Sequence, residues 1–403
     1  MTQPSSPRRW GVVGLGRAFS LMLPTFVADA RVQLCGAADP RAEARAQFEA
    51  DFGAPTYASV DELCADRTIE VVYVASPHQM HLTHAISAAS HGKHLLVEKP
   101  MALSVADCTR MIDAAAAAGV QLVVGHSHAY DAPIARTRAL LDTGAFGAVR
   151  MIQAFYYTDY LYRPRRPEEL RTAEGGGAVW NQAAHQVDIV RTLAGCRAAR
   201  VRALTGNWDA ARNTEGAYSA LLTFEDGAFA SLTYNGYGYF DSDEFCDWVG
   251  ELGARKRSGV YGVARRALAS APDPAGELAL KAARNYGGVS HRPAARADAD
   301  DLQHQHFGTF IVSCDRADLR PLPRGVMIYE EAGAHLDALT SPIIPRVEVI
   351  DAVERAIASG IPARHDGRSA RATLEVCAAM LESARRGSDV VLQHQVALPT
   401  PAQ

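Results

Sequence analysis

Apolar positions along the first third of the chain follow two alternating rhythms. "RWGVVGLG" and "RVQLCGAAD" read as short strands, and "RAFSLMLPTFVADA" between them has helical spacing that Pro24 is expected to shorten or kink. "IEVVYVASP" is a continuous apolar run, the pattern of a strand covered on both faces of a parallel sheet. "MHLTHAISAASHG" follows as a helix closed by Gly92, then "KHLLVEKP" as a strand. "SVADCTRMIDAAAAAG" is the next helix, with Ser104 as N-cap, Asp107 at N3 and Gly119 beyond its end, and "VQLVVGH" is the last strand. Strands separated by helices predict βαβ units with right-handed crossovers, the architecture of a Rossmann domain.

The texture changes after about Pro133. "AVRMIQAFYYTDY", "RVRALTGNWD", "AYSALLTFEDGAFASLTYNGY" and the later "PRVEV" read as strands, with Glu225-Asp226-Gly227 as a hairpin turn. A helix over about 178–194 precedes most of them, and "GRSARATLEVCAAMLESARRG" is a second, amphipathic one. The expected whole is an α/β Rossmann domain over 1–130 and a C-terminal α+β domain over 131–403 with a large, mostly antiparallel open sheet. Residues 252–301, rich in Ala and Arg, read as an excursion with helical pieces.

Composition narrows the function. The chain has 403 residues, 48 % hydrophobic and 21 % charged, as in soluble globular proteins. A formal charge of −4 offers no general field for nucleic acid or an anionic membrane. Neither partner is expected. The seven cysteines are dispersed with no CxxC pair, which predicts a reducing, cytoplasmic compartment. No secretory leader is read in "MTQPSSPRRW", and no apolar run reaches the roughly 20 residues of a membrane helix.

"GVVGLGRAF" places Gly11, Gly14 and Gly16 after the first strand and at the start of the first helix. Gly14 suits a tight turn, and Gly16 lets backbone approach a pyrophosphate at the helix N-terminus. Phe19 stands at the third fingerprint position. Asp39 ends the second strand, where a carboxylate reaches both hydroxyls of an adenosine ribose and repels a 2′-phosphate. NAD is therefore expected over NADP, although Arg41 could pair with that phosphate.

Three further groups carry chemistry. In "GGGAVWNQAAHQVDIV" a regular helix would stack Asn181, His185 and Asp188 on one face, with Asp188 orienting the imidazole or pointing back to Arg191. In "YRPRRPEELR", Arg163, Arg165, Arg166 and Arg171 either form a solvated loop matched by Glu168 and Glu169, or present guanidinium forks to substrate carboxylates. His126 with His128, and His304 with His306, are His-x-His pairs that would share one side of a strand. Such pairs can bind a metal, line a substrate pocket or serve structure; no metal is expected here.

With "VASPHQMH", "VEKP" and "GGGAVWNQAAHQVD" in that order, the chain resembles the Gfo/Idh/MocA oxidoreductases over nearly its full length. The resemblance implies a nicotinamide cofactor and a C-terminal sheet that builds homodimers or homotetramers. It implies cofactor contacts from Gly14, Gly16, Arg17, Ala18, Asp39, Arg41, Ser76, Pro77, His81, Glu98 and Lys99. Lys99 would lie near the reacting carbinol, with Glu98 and Pro100 shaping the turn beside the nicotinamide, and His185 would contact the reacting hydroxyl. His78 replaces a common Asn, Asn181 a common Asp and Ala183 a common Gly, while His128 and Ala129 follow "VGH" where relatives often carry Arg.

Segments such as "YTDYLYRPRRPEEL" and "NQAAHQVDIVR" are most similar to the phthalate 4,5-cis-dihydrodiol dehydrogenase branch. That branch implies NAD-dependent oxidation of a carboxylated cyclic cis-diol to a catechol in aromatic catabolism. Lys99 or His185 would remove the hydroxyl proton, and His126, His128, Arg163, Arg165, Arg166, Asn181 and His185 would contact the substrate. The alternatives are a sugar or inositol dehydrogenase of the same fold, and a noncatalytic NAD(H)-binding regulator.

Overall fold

Arg8–Val13 (β1), Val32–Ala38 (β2), Thr56–Tyr57 (β3), Val71–Val74 (β4), His94–Val97 (β5) and Leu122–Val124 (β6) form the first sheet of the computed structural model. The structure describes residues 6–125, 127–271, 273–289 and 302–398. Every pairing in this sheet is parallel, in the order β3-β2-β1-β4-β5-β6. The order reverses between β1 and β4, which opens a crevice at the C-terminal ends of the strands. All four residues of β4 are buried, as its unbroken apolar run predicts.

Helices Arg17–Ala28 (α1), Ala42–Phe52 (α2), Val60–Ala65 (α3), His81–Ser90 (α4) and Val105–Ala118 (α5) connect these strands. Ser104 Oγ accepts from the Asp107 amide at 3.0 Å, and Gly119 closes α5 in the left-handed conformation, as its sequence predicts. Pro24 does not end α1. Burial of Phe19, Met22, Thr25 and Phe26 along one face outweighs the single N–H bond that the proline lacks.

The expected single cut at 130/131 gives way to an interleaved division. The first compact unit comprises residues 1–126, 279–295 and 344–370, and the second takes the rest. Packing explains the returns. Tyr286 sets its ring 5.1 Å from Phe19 and 6.4 Å from Phe48. The Val124 amide donates to the His365 carbonyl at 2.9 Å, and Arg8 pairs with Glu354 at 3.0 Å. "PRVEV", expected as a strand, instead opens the helix Val347–Ser359, which buries Val349, Ile350, Val353 and Ala356 at helical spacing. A five-residue stretch cannot reveal its period. The residues after it decide.

The second unit holds Val149–Tyr157 (β7), Ala198–Gly206 (β8), Ala217–Phe224 (β9), Phe229–Asn235 (β10), Thr309–Cys314 (β11), Asp318–Leu322 (β12), Gly325–Glu330 (β13), Gly333–Ala338 (β14) and Val390–Val391 (β15). They form one sheet in the order β14-β13-β12-β11-β7-β10-β9-β8-β15, antiparallel except where β7 and β10 run parallel. Glu225-Asp226-Gly227 makes the expected hairpin between β9 and β10, and the Asp226 carboxylate accepts from the Ala228 amide. Ala132–Asp142 (α6) precedes β7, and Ala184–Ala194 (α7), buried along its whole length, packs on β7 and β10. The excursion contains the helical pieces Val263–Ala269 and Pro274–Ala282.

Candidate active site

In the first unit, the ends of β1, β2, β4 and β5 bring the expected nucleotide residues to one edge of the sheet. Gly14 has φ +92°, and a Cβ there would lie 2.8 Å from the Ala75 carbonyl oxygen. Only glycine fits that approach. A Cβ on Gly16 would meet nothing within 4 Å, so the backbone borders open space where Arg17 and Ala18 begin α1. No side chain caps this helix, leaving its N-terminal dipole suited to a pyrophosphate. Phe19 explains the departure at the third fingerprint position. Its ring is fully buried among Phe26, Phe48 and Tyr286.

Asp39 is held firmly. One carboxylate oxygen accepts from the Leu15 amide at 2.7 Å, and the other from the Arg41 amide at 2.9 Å and its Nε at 3.0 Å. Arg41 Nη2 also donates to the Leu15 carbonyl at 2.9 Å. The guanidinium is therefore occupied by Asp39 and by backbone. This arrangement fits a ribose with two hydroxyls better than one carrying a phosphate.

Around the ends of β4 and β5, Pro77 is exposed, Ser76 and Lys99 are partly exposed, and Glu98 is buried. Tyr73 Oη donates to Glu98 Oε1 at 2.6 Å. His81, expected to touch the cofactor, is instead wholly buried, its ring nitrogens 2.9 Å from the Ser76 carbonyl and 3.0 Å from the Pro100 carbonyl. Burial pushes its pKa below the ordinary histidine value. His81 braces the β4 loop against the "EKP" turn. The Lys99–Pro100 peptide is cis.

In the second unit, the expected helix over 178–194 begins with a π-turn, Val179–Ala183, before α7. The wider turn takes Asn181 off the regular stack with His185 and Asp188. Glu215, which the sequence reading passed over, explains the start: its Oε1 accepts from the Val179 amide at 3.1 Å. A Cβ on Gly177, at φ +85°, would lie 2.1 Å from that oxygen. Asn181 Nδ2 donates to the Gly175 and Gly177 carbonyls at 3.1 and 2.9 Å. Both amide hydrogens are so engaged. Asp188 accepts from Thr373 Oγ1 at 3.2 Å and lies 3.9 Å from Arg191.

His185 meets His128 across the unit's interior. The His128 amide donates to His185 Nδ1 at 3.4 Å, and the two ring centroids are 4.8 Å apart. Phe307 covers both, 4.7 Å from the His185 ring and 5.2 Å from that of His128. His128 lies between carboxylates, with Nδ1 2.7 Å from Asp131 and Nε2 3.7 Å from Glu251. Burial disfavours its charge, but Asp131 and then Glu251 outweigh burial and raise its pKa above the ordinary value. Arg163 and His128 in turn hold the Glu251 carboxyl well below the usual range, against the opposing effect of burial.

The three loop arginines therefore separate. Arg163 donates to Glu251 at 3.1 Å and joins the histidine network. Arg165 stacks its guanidinium 3.8 Å from the centre of the Tyr160 ring and donates to the Tyr160 carbonyl. Arg166 pairs with Glu168 at 2.9 Å and Glu169 at 3.5 Å, the bland reading of the loop. Glu251 and Phe307 carried no motif that sequence could single out. Asp131, three residues after His128, was a legible partner.

His304 and His306 do not share a strand face. Their Nε2 atoms lie 2.9 Å from the Thr340 carbonyl and 2.8 Å from the Val249 carbonyl, which are structural contacts. His126, the other expected substrate residue, lies outside the described residues. Among the described residues no group of three or more His, Cys, Asp or Glu side chains is placed to hold a metal ion, and no helix is long and apolar enough to cross a membrane.

Comparison with known proteins fits both halves. The model of an oxidoreductase family with an NAD-binding Rossmann fold matches residues 8–126, and that of the GFO/IDH/MocA C-terminal domain matches residues 134–254. The chain belongs to the Gfo/Idh/MocA oxidoreductase family. It is 45 % identical over 379 residues to the 1-carboxy-3-chloro-3,4-dihydroxycyclohexa-1,5-diene dehydrogenase of Comamonas testosteroni, covering 94 % of this chain and 95 % of that one.

A dehydrogenase structure from Bordetella bronchiseptica superimposes with a TM-score of 0.89 at 41 % identity, covering 96 % of this chain and all of the other. The WlbA dehydrogenase of Bordetella pertussis, solved with NADH and UDP-GlcNAcA, shares the fold at a TM-score of 0.66 and 22 % identity, over 96 % and 99 % of the two chains. As a member of this family the protein is an NAD-binding dehydrogenase, and the cradle at Gly14, Gly16 and Asp39 fits that cofactor.

Proposed function

We propose that this dehydrogenase oxidises a carboxylated cyclic cis-dihydrodiol to the corresponding catechol, with the 4,5-cis-dihydrodiol of phthalate as the substrate its sequence favours. The observation that carries the reading is the chain Arg163–Glu251–His128–His185, which puts a partly exposed guanidinium in one network with the buried candidate reaction histidine. The relative from Comamonas testosteroni, named for a carboxylated dihydroxycyclohexadiene, supports the same substrate class.

Bound NAD supplies the hydride acceptor, at C4 of its nicotinamide. Asp39 would hold the adenosine ribose, and the α1 N-terminus the pyrophosphate. Lys99 or His185 takes the hydroxyl proton, and Arg163 receives a substrate carboxylate through paired, charge-assisted hydrogen bonds. The hydroxy-ketone so formed enolises to the aromatic catechol, which draws the oxidation forward.

The seven free cysteines support a reducing, cytoplasmic setting. Leu204, Leu221 and Phe229, exposed on β8, β9 and β10, support pairing of the large sheet into a homodimer or homotetramer. Mixing the protein with NAD and a panel of carboxylated dihydrodiols, uncarboxylated dihydrodiols and inositols, then following NADH absorbance, tests the proposal. Turnover confined to carboxylated diols supports it; preference for an inositol or an uncharged diol overturns it.

A further inference from the structure

Glu251 serves two partners, Arg163 and His128, and can do so only if its own place is fixed. It sits at the tip of a short hairpin closed by an antiparallel bridge between Val249 and Arg255. The Gly250 amide donates to the Ala254 carbonyl at 2.8 Å, and the Lys256 amide to the Trp248 carbonyl at 2.7 Å. The approach to this hairpin is strained. Asp247 and Trp248 both take the left-handed conformation, at φ 56° and 58°, which residues other than glycine adopt at a cost. Two in a row persist only where the surroundings hold them.

Two anchors do so. The first is an ion cluster at the base of the hairpin. Lys256 Nζ lies 2.5 Å from Asp243 and 2.6 Å from Asp241, and Asp243 is fully buried. A buried carboxylate without its cation is costly, so the pair fixes Lys256, and with it the returning arm of the hairpin, against the turn Ser242–Cys246. The second anchor comes from residues 303–308. His306 Nε2–H donates to the Val249 carbonyl at 2.8 Å, its Nδ1 accepts from the Gly308 amide at 3.1 Å, and its ring lies 3.6 Å from Asp243. The Gln303 amide donates to the Gly253 carbonyl at 3.0 Å. The same segment carries Phe307, which packs on the His128 and His185 rings. One stretch of chain thereby sets the register between Glu251 and the histidine it serves.

We propose that Lys256 and His306 are positioning residues that act through Glu251, holding the hairpin so that one carboxylate meets Arg163 and His128 at once. The inference rests on the proposed function only for the step from Arg163 to substrate. Asp131, Glu251 and His185 face His128 from the start of α6, the hairpin and α7. Burial opposes charge on His128, and Asp131 and Glu251 outweigh it. Displacing Glu251 withdraws one of these two carboxylates, and the titration of His128 reports the loss.

That titration is followed by NMR in the full-length protein with isotope-labelled histidine, the His128 signals being assigned by their loss in His128→Gln. Asp243→Asn/Lys256→Met removes one charge of each sign. It leaves no unpaired buried charge from the pair, and its direct electrostatic effect on His128 nearly cancels. The His128 midpoint should fall by about one pH unit, a tenfold change in its protonation equilibrium. Glu251→Gln should lower it at least as far, and adding the double substitution to Glu251→Gln should lower it no further. Lys256→Gln, at a side chain 38 % exposed, is the milder variant. Losing this positive charge would by itself raise the midpoint, so a fall here reports the displaced carboxylate. A midpoint that stays or rises in either variant, or that falls equally when Glu251 is already replaced, overturns the proposal.

His306 is tested by a pair of variants. His306→Gln keeps an N–H donor near Nε2 and should keep the parental midpoint, while His306→Leu should lower it. Equal midpoints overturn the role of His306. Near-ultraviolet circular dichroism of each variant controls for folding. With the carboxylated dihydrodiol, Asp243→Asn/Lys256→Met should raise KM about tenfold as Arg163 loses its orientation, and an unchanged KM overturns the step through Arg163. If the parent turns over no dihydrodiol, the substrate reading fails and the titration alone judges the inference.

Discussion

Arg163 and Glu251, distant in the chain, meet at 3.1 Å, and the carboxylate of the pair also lies 3.7 Å from His128. The positive group proposed to receive a substrate carboxylate is thus balanced beforehand by an internal one. The pairing avoids a buried, unmatched charge and fixes the direction of the guanidinium.

This separation among the arginines can be measured. Arg163→Gln should raise KM for the carboxylated dihydrodiol by roughly 10- to 150-fold, the equivalent of about 1.5 to 3 kcal/mol for a charge-assisted hydrogen bond. Arg166→Gln, which loses only partners on its own loop, should change KM by less than about threefold. An uncarboxylated diol serves as control, since loop damage would slow both substrates. Equal losses for the two variants would contradict the assignment of Arg163.

Stability should respond to pH through His128. Its folded pKa is raised, so its contribution is fully present below the unfolded value of about 6.5 and is lost as pH rises through the folded value. Asp131→Asn removes the nearest carboxylate. Urea unfolding should show this variant less stable than the parent at about pH 6, with the deficit shrinking as pH rises through the folded His128 value. A deficit that grows with pH would have the wrong sign.

Cofactor choice depends on Asp39 and its hold on Arg41. The parent should bind NAD at least tenfold more tightly than NADP, about 1.4 kcal/mol. Asp39→Ser removes the repelling charge and releases Arg41 toward a 2′-phosphate, so the gap should narrow. Fluorescence titration of the reduced cofactors reads both effects. Equal affinity in the parent would show that Arg41 leaves Asp39 at little cost.

Lys99→Met tests Lys99 as a proposed proton acceptor. The variant should keep its NAD affinity and lose kcat by a factor on the order of 10² to 10⁴, the range for a positioned acid–base group. Single-turnover measurement of NADH formation distinguishes a slow chemical step from slow product release. A parental rate would remove Lys99 from the mechanism.

The sequence by itself determined the order of the Rossmann strands, the Gly14 turn, the Ser104 and Gly119 helix ends and the hairpin at Gly227. Each depends on periodicity or on turn chemistry within a few residues, so neighbours along the chain carry the information. Tertiary structure alone decided the helix at Val347, the return of Tyr286 to the aromatic cluster of the first unit, and the π-turn that displaces Asn181. It also decided which polar residues become a site. Glu251 reads as an ordinary surface acid until folding sets it between Arg163 and His128, and His185 has no fixed tautomer until a backbone amide 57 residues away reaches its Nδ1. The chemistry of a buried charge or imidazole depends on desolvation and on partners that only long-range packing supplies.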